Sequence, residues 1–181
     1  FVAEVASTFN EILLREHLRK VWANNLDLIQ KLVESEIDEV RSTFFRQVMF
    51  AEFEREIHKR SDNGKATDLD SMQNFYKELL QKYFGSSVEF SEESSLEFLR
   101  IPHFYSSFYV FKYATGLAAS SSLAKGVLGG DINRRESYLG FLKSGCKITS
   151  LELLQAAGVD LLSAEPVNSV VDRFRQLVSY L

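Results

Sequence analysis

With 181 residues, 45% of them hydrophobic and 25% charged, the chain can bury a core of its own and has an ordinary soluble globular composition. The net charge of −4 comes from interleaved acids and bases, which argues against a phosphate-collecting nucleic-acid surface. No apolar run approaches membrane-spanning length, and the opening FVAEVASTFNE lacks the charged-then-apolar plan of a signal peptide.

Two prolines, nine glycines and little β-branched alternation point to an all-α chain. The spacing predicts a first helix over 3–33, with Phe9, Leu13, Leu14, Leu18, Val21, Trp22, Leu28 and Leu32 on its apolar face. A second, over 36–60, carries Ile37, Val40, Phe44, Phe45, Val48, Met49, Phe53 and Ile57, dense enough to be buried on more than one side. SDNGKATDLD (61–70) is turn chemistry, and a third helix follows to Tyr83, stopped by Gly85. SSVEFSEESS (86–95) is a polar loop leading into a short helix. Pro102 suits the first turn of a long helix ending near Gly129 and Gly130. Short helices follow after Asp131, after the capping-box pattern Thr149-x-x-Glu152 (closed by Gly158), and from Pro166. No repeat or linker divides the chain, so a single helical domain is expected. Because the opening has the texture of the middle of a helix, the chain is also expected to be part of a longer polypeptide.

If 103–116, HFYSSFYVFKYATG, is helical, its side chains sort into two stripes. Phe104, Phe108, Phe111 and Thr115 form an apolar stripe suited to the core. Tyr105, Tyr109, Lys112 and Gly116 lie beside it, with His103 before them. That second stripe suits a helix–helix seam whose phenols bond backbone carbonyls. Aromatic stripes are mostly packing, but the same stripe also suits a row of donors aimed at a peptide carbonyl and the oxyanion formed from it. Gly116, Ala118, Ala119 and Ser120–Ser122 require that something approach this helix closely.

Near the amino end, Glu4, Ser7 and Glu11 share one face among Val5, Ala6, Thr8 and Phe9. Carboxylates on a half-buried face must be paired, hydrogen-bonded or metal-bound. The acids alone also suit a solvated, salt-bridged face. His17, His58 and His103 are far apart, and none belongs to an HExxH pair.

Together, FVAEVASTFNE (1–11), FFRQVMFAEFE (44–54), IPHFYSSFYVFKYATG (101–116), YLGFLKSG (138–145) and LLQAAGVDL (153–161) resemble, in order and near spacing, the oligoendopeptidase F family of zinc-dependent, thimet-oligopeptidase-like oligopeptidases. The resemblance covers essentially the whole chain and implies the carboxy-terminal helical part of the catalytic domain, beginning just after the HExxH helix. It implies that Glu4 is the third zinc ligand, in the family's E-x-x-S-x-x-x-E segment with Ser7 and Glu11. His103, Tyr105 and Tyr109 match the H-F-Y-x-x-F-Y segment that holds substrate and helps stabilise the tetrahedral intermediate. Glu11 is inferred to orient a ligand through a hydrogen bond. The remaining zinc ligands, and the glutamate acting as general base, would lie outside these residues, so the fragment alone is expected to be inactive. Short peptides and the remainder of its own polypeptide are the implied partners.

The chain departs from the family at Phe98, where tryptophan is frequent, at Phe111, where tyrosine is common, and at Cys146, where glycine is usual. Cys146, the single cysteine, cannot form an internal disulfide; this favours a reducing, cytoplasmic location. The rival reading is a non-catalytic helical interaction module that receives a partner helix in an aromatic groove.

Overall fold

The computed structural model describes residues 2–65, 67–145 and 147–181; Cys146, the departure from the family's usual glycine, lies outside the described residues. The described residues form helices and turns without a strand, as an all-α chain should. The helices are α1 (Val2–Val21), α2 (Leu26–Glu39), α3 (Arg46–Asp62), α4 (Leu69–Phe84), α5 (Phe111–Leu128), α6 (Ile132–Ser144), α7 (Ser150–Ala156) and α8 (Glu165–Val178). A π-helical segment, Val40–Phe45, joins α2 to α3, and two 3-10 segments, Glu93–Arg100 and Pro102–Tyr105, precede α5.

Local signals account for most boundaries. The Asp68 carboxylate caps α4, Asp131 caps α6, and the expected capping box between Thr149 and Glu152 opens α7 with both reciprocal bonds made. Pro166 sits in the first turn of α8. The expected 3–33 helix is broken at Trp22–Asn25, because the Asn25 side chain accepts the Leu28 N–H and starts a new helix. The expected interruption near residues 34–35 is absent, and helical backbone runs on through the π segment.

The chain forms two compact units, one from the residues up to Phe44 with Tyr113–Leu181, the other from Phe45–Lys112. In the first, Val5 and Phe9 of α1 are buried with Ala119 and Leu123 of α5, Tyr138 and Phe141 of α6, and Leu153 and Leu154 of α7. The Phe9 ring stacks on Tyr138 with centroids 3.7 Å apart. Burying side chains of this size contributes roughly 1.5–3 kcal/mol each, and here it anchors the amino-terminal half of α1. Arg173 of α8 donates to Glu36 of α2 (Nε to Oε1, 2.7 Å) and to Glu16 of α1 (2.7 Å), while Arg19 also pairs with Glu36. Glu36 is only 5% exposed, and these guanidinium groups make its burial tolerable.

In the second unit, Met49, Phe50 and Phe53 of α3 pack with Tyr76, Leu79 and Leu80 of α4 and with Phe98, Ile101 and Val110. The Phe53 ring touches those of Phe75, Tyr76, Phe98 and Phe104. Tyr76 is fully buried, and its phenol donates to Glu97 at 2.9 Å, so its polar end is satisfied. Burial, followed by the Glu97 charge, pushes that phenol's pKa strongly upward. Phe98 occupies the core with its ring 5.0 Å from Phe53.

Candidate active-site elements

The expected helix from Pro102 does not form. Pro102–Tyr105 is a single 3-10 turn, and α5 begins only at Phe111. The bonds Phe104 N–H to Ile101 O (3.3 Å) and Ser106 N–H to His103 O (3.1 Å) have three-residue spacing. Phe108 lies at φ 54°, the left-handed region, and donates its N–H to the Glu54 carboxylate at 2.6 Å. A helix would need that N–H for the carbonyl four residues earlier, and two serines at 106–107 favour local turns.

The two helical stripes therefore do not exist as drawn from periodicity. Phe104 is half-buried against the core, but Phe108 and Phe111 are exposed, which corrects their assignment to the core. Tyr105 points outward, 85% exposed. Tyr109 is half-buried beside His103, with ring centroids 5.7 Å apart and planes at 29°. The Lys112 ammonium sits 4.6 Å from the centre of the Tyr109 ring. The turn thus brings His103, Tyr109 and Lys112 together and leaves Tyr105 apart from them. Stacking and the cation–π contact, the latter worth about 0.5–1 kcal/mol at exposed sites, hold the phenol and imidazole as neighbouring donors. That arrangement suits a carbonyl oxygen that gains charge.

At the other end, the expected half-burial of the Glu4, Ser7 and Glu11 face is not found; all three are exposed. Val5 and Phe9, on the other face of α1, take the buried positions. Ser7 turns its hydroxyl back to the Glu4 backbone carbonyl at 3.0 Å. Glu11 lies 3.7 Å from Arg15, which also pairs with Glu39. Glu4 packs over α5: a methyl group placed on Gly116 would meet the Glu4 Cβ at 3.6 Å. The close neighbour required by the small residues of α5 is thus, at Gly116, the side chain of Glu4 itself.

Among the described residues no three histidine, cysteine, aspartate or glutamate side chains cluster as a metal site. The Glu4 carboxylate is exposed and forms no ion pair or hydrogen bond with the other described residues. An uncommitted carboxylate of this kind fits a single oxygen position of a zinc ion whose other ligands are nitrogens. A cleft of about 360 Å³ in the first unit is lined by, among others, Arg15, Glu16, Glu39, Lys125 and Arg173, and by none of the anticipated site residues.

Sequence reasoning missed Glu54 and His58. Glu54 is 5% exposed and holds the Phe108 turn, while the His58 ring lies 4.6 Å from that of Phe108. The available signal was an acid placed one residue after Phe53 and four after Phe50, on a face otherwise apolar.

The chain belongs to Peptidase family M3, whose family model matches residues 1–172. It is 43% identical over 177 residues to an oligoendopeptidase F homolog of Borreliella burgdorferi, covering 97% of this chain and 30% of that protein. It is 41% identical over 179 residues to oligopeptidase PepF of Bacillus subtilis, covering 97% and 26% respectively. The crystal structure of oligoendopeptidase-F from Enterococcus faecium superimposes with a TM-score of 0.95 at 36% identity, over 99% of this chain and 34% of that one. The chain thus spans between about a quarter and a third of the relatives it matches.

Proposed function

We propose that this chain is the carboxy-terminal part of the catalytic domain of a zinc-dependent oligopeptidase and supplies one metal ligand and the donors that handle the substrate carbonyl. Glu4 would hold the zinc through its carboxylate, with the other ligands contributed from elsewhere in the same polypeptide. When bound, the ion supplies Lewis-acid activation for attack of water on a peptide bond. Tyr109 donates its phenolic proton to the carbonyl oxygen as charge builds there, and His103 donates a ring N–H to the same peptide. Tyr105, exposed on the 3-10 turn, contacts substrate further along the chain. Because these donors stand on a turn already closed by Glu54, little reorganisation is needed as charge develops.

The observation that carries this reading is the stacked His103–Tyr109 pair beneath Lys112, in a chain of family M3. Glu11, exposed on the same face of α1 and 3.7 Å from Arg15, is the residue that would orient a zinc ligand through a hydrogen bond. Short peptides are the substrates, and a reducing cytoplasm suits the single cysteine. No described helix is long and apolar enough to cross a membrane.

The test is Tyr109→Phe in the complete enzyme. Loss of an oxyanion donor lowers kcat by about 10²–10³-fold, while zinc content stays at the wild-type level. Full turnover in that variant would leave the stacked pair a packing feature and sink the assignment.

A further inference from the structure

We infer that Glu54 is a positioning residue: by accepting the Phe108 N–H, its buried carboxylate holds the 105–110 turn in the backbone conformation that lays Tyr109 against His103. The functional consequence rests on the peptidase reading; the clamp itself does not.

Phe108 is the one non-glycine residue with positive φ among those described, at 54°. A large aromatic residue in that region is an outlier that surrounding structure must enforce. Packing of its own ring is insufficient, because Phe108 remains 48% exposed. The enforcement comes from α3, which grips the residue twice. Glu54 Oε1 takes the backbone N–H at 2.6 Å, in the short range of charge-assisted bonds. His58, one helical turn on, lays its ring 4.6 Å from the Phe108 ring. Glu54 is 5% exposed beside Phe50 and Phe53, a setting in which a carboxylate requires a donor, so each partner constrains the other. Tyr109 follows Phe108 directly. If the N–H is released and Phe108 returns to negative φ, the chain leaves the turn in a different direction, and Tyr109 no longer meets His103 at 5.7 Å. Misplacing a donor in this way is costly to a reaction that depends on alignment.

The experiment compares E54Q, E54L, F108G and the E54L/F108G double variant of the complete enzyme. It reads kcat and KM on a peptide, zinc per chain, and hydrogen exchange of fragments covering 104–110. In the wild type the Phe108 amide is expected to exchange slowly although residues 105–107 are exposed. E54L speeds its exchange and lowers kcat by about tenfold, the factor matching release of a left-handed residue, with KM and zinc little changed. E54Q, whose amide oxygen still accepts, stays within about threefold of wild type. Glycine adopts positive φ without help, so E54L costs less than about threefold when residue 108 is glycine.

Equal losses from E54L in both backgrounds would make Glu54 an ordinary core residue and overturn the inference. So would rapid exchange of the Phe108 amide in the wild type, a measurement that needs no variant to fold. If no form of the enzyme hydrolyses peptides, the peptidase reading fails, while the exchange data still decide the clamp.

Discussion

Gly116 offers a way to disturb Glu4 without touching it. A Cβ added there meets the Glu4 Cβ at 3.6 Å, ordinary van der Waals contact, and lies on an α-helix without positive φ. Alanine therefore fits without displacement. Its better helix propensity stabilises the chain by up to about 0.5–1 kcal/mol relative to glycine. Valine is different. Its two γ-carbons extend a further bond length from Cβ, so at least one drives into the Glu4 methylenes, and overpacking of this kind costs about 1–3 kcal/mol. On the proposed reading that Glu4 holds zinc, moving its exposed side chain to relieve part of that strain lowers the zinc affinity of the complete enzyme by about 10- to 100-fold, as when a supporting contact of a ligand is lost. The assay is zinc per chain by mass spectrometry after dialysis against a graded chelator, with the thermal midpoint measured in parallel. Gly116→Ala keeps its zinc and melts no lower than wild type; Gly116→Val releases zinc at lower chelator concentration. Loss of zinc from the alanine variant would refute the reasoning, as would a valine variant with wild-type zinc retention and melting.

Two further predictions concern what holds each unit together. Replacing Glu36 with leucine leaves Arg19 and Arg173 facing one another across α1, α2 and α8, with Glu16 as their remaining acid. The expected cost is about 3 kcal/mol, the low end for breaking a buried pair, because Arg173 is 30% exposed. Amide exchange in α8 should rise accordingly, and adding Arg173→Leu should recover part of the loss; unchanged exchange in Glu36→Leu would show the network to be idle. The Glu52 carboxyl is held below the usual glutamate range chiefly by the hydrogen bond from Lys82, against opposing desolvation and with help from Tyr83. Its contribution is therefore complete above the ordinary glutamate pKa and is lost as pH falls through the lowered folded value. The pair is partly solvated, so it is worth no more than about 1 kcal/mol. The melting difference between wild type and Glu52→Gln should accordingly shrink on acidification below about pH 4; a difference that widens instead would reverse the sign.

Much of the fold was legible because its signals are local. Asp68, Asp131 and the Thr149–Glu152 box each satisfy backbone donors within three residues of themselves, so their roles follow from neighbouring letters. The family segments at 1–11 and 101–116 were legible as patterns, and they led to Glu4, His103, Tyr105 and Tyr109. The errors arose where a local preference met a distant partner. Periodicity over 102–116 is a sound helical pattern, yet Phe108 gives its N–H to an acid 54 positions earlier. Glu36 drew no reading from the sequence, because Arg173, 137 positions later, is brought against it only by the fold.

By itself the sequence determined the helical class, most of the helix ends and the residue types available for chemistry, since these depend on side-chain spacing and capping along a short stretch of backbone. Only the tertiary structure decided which of those residues meet. It bent the aromatic segment into a turn rather than a rod, paired Tyr109 with His103 while turning Tyr105 outward, and set Glu4 over Gly116. A buried carboxylate must find its donor wherever the fold supplies one, and no periodicity along the chain encodes where that will be.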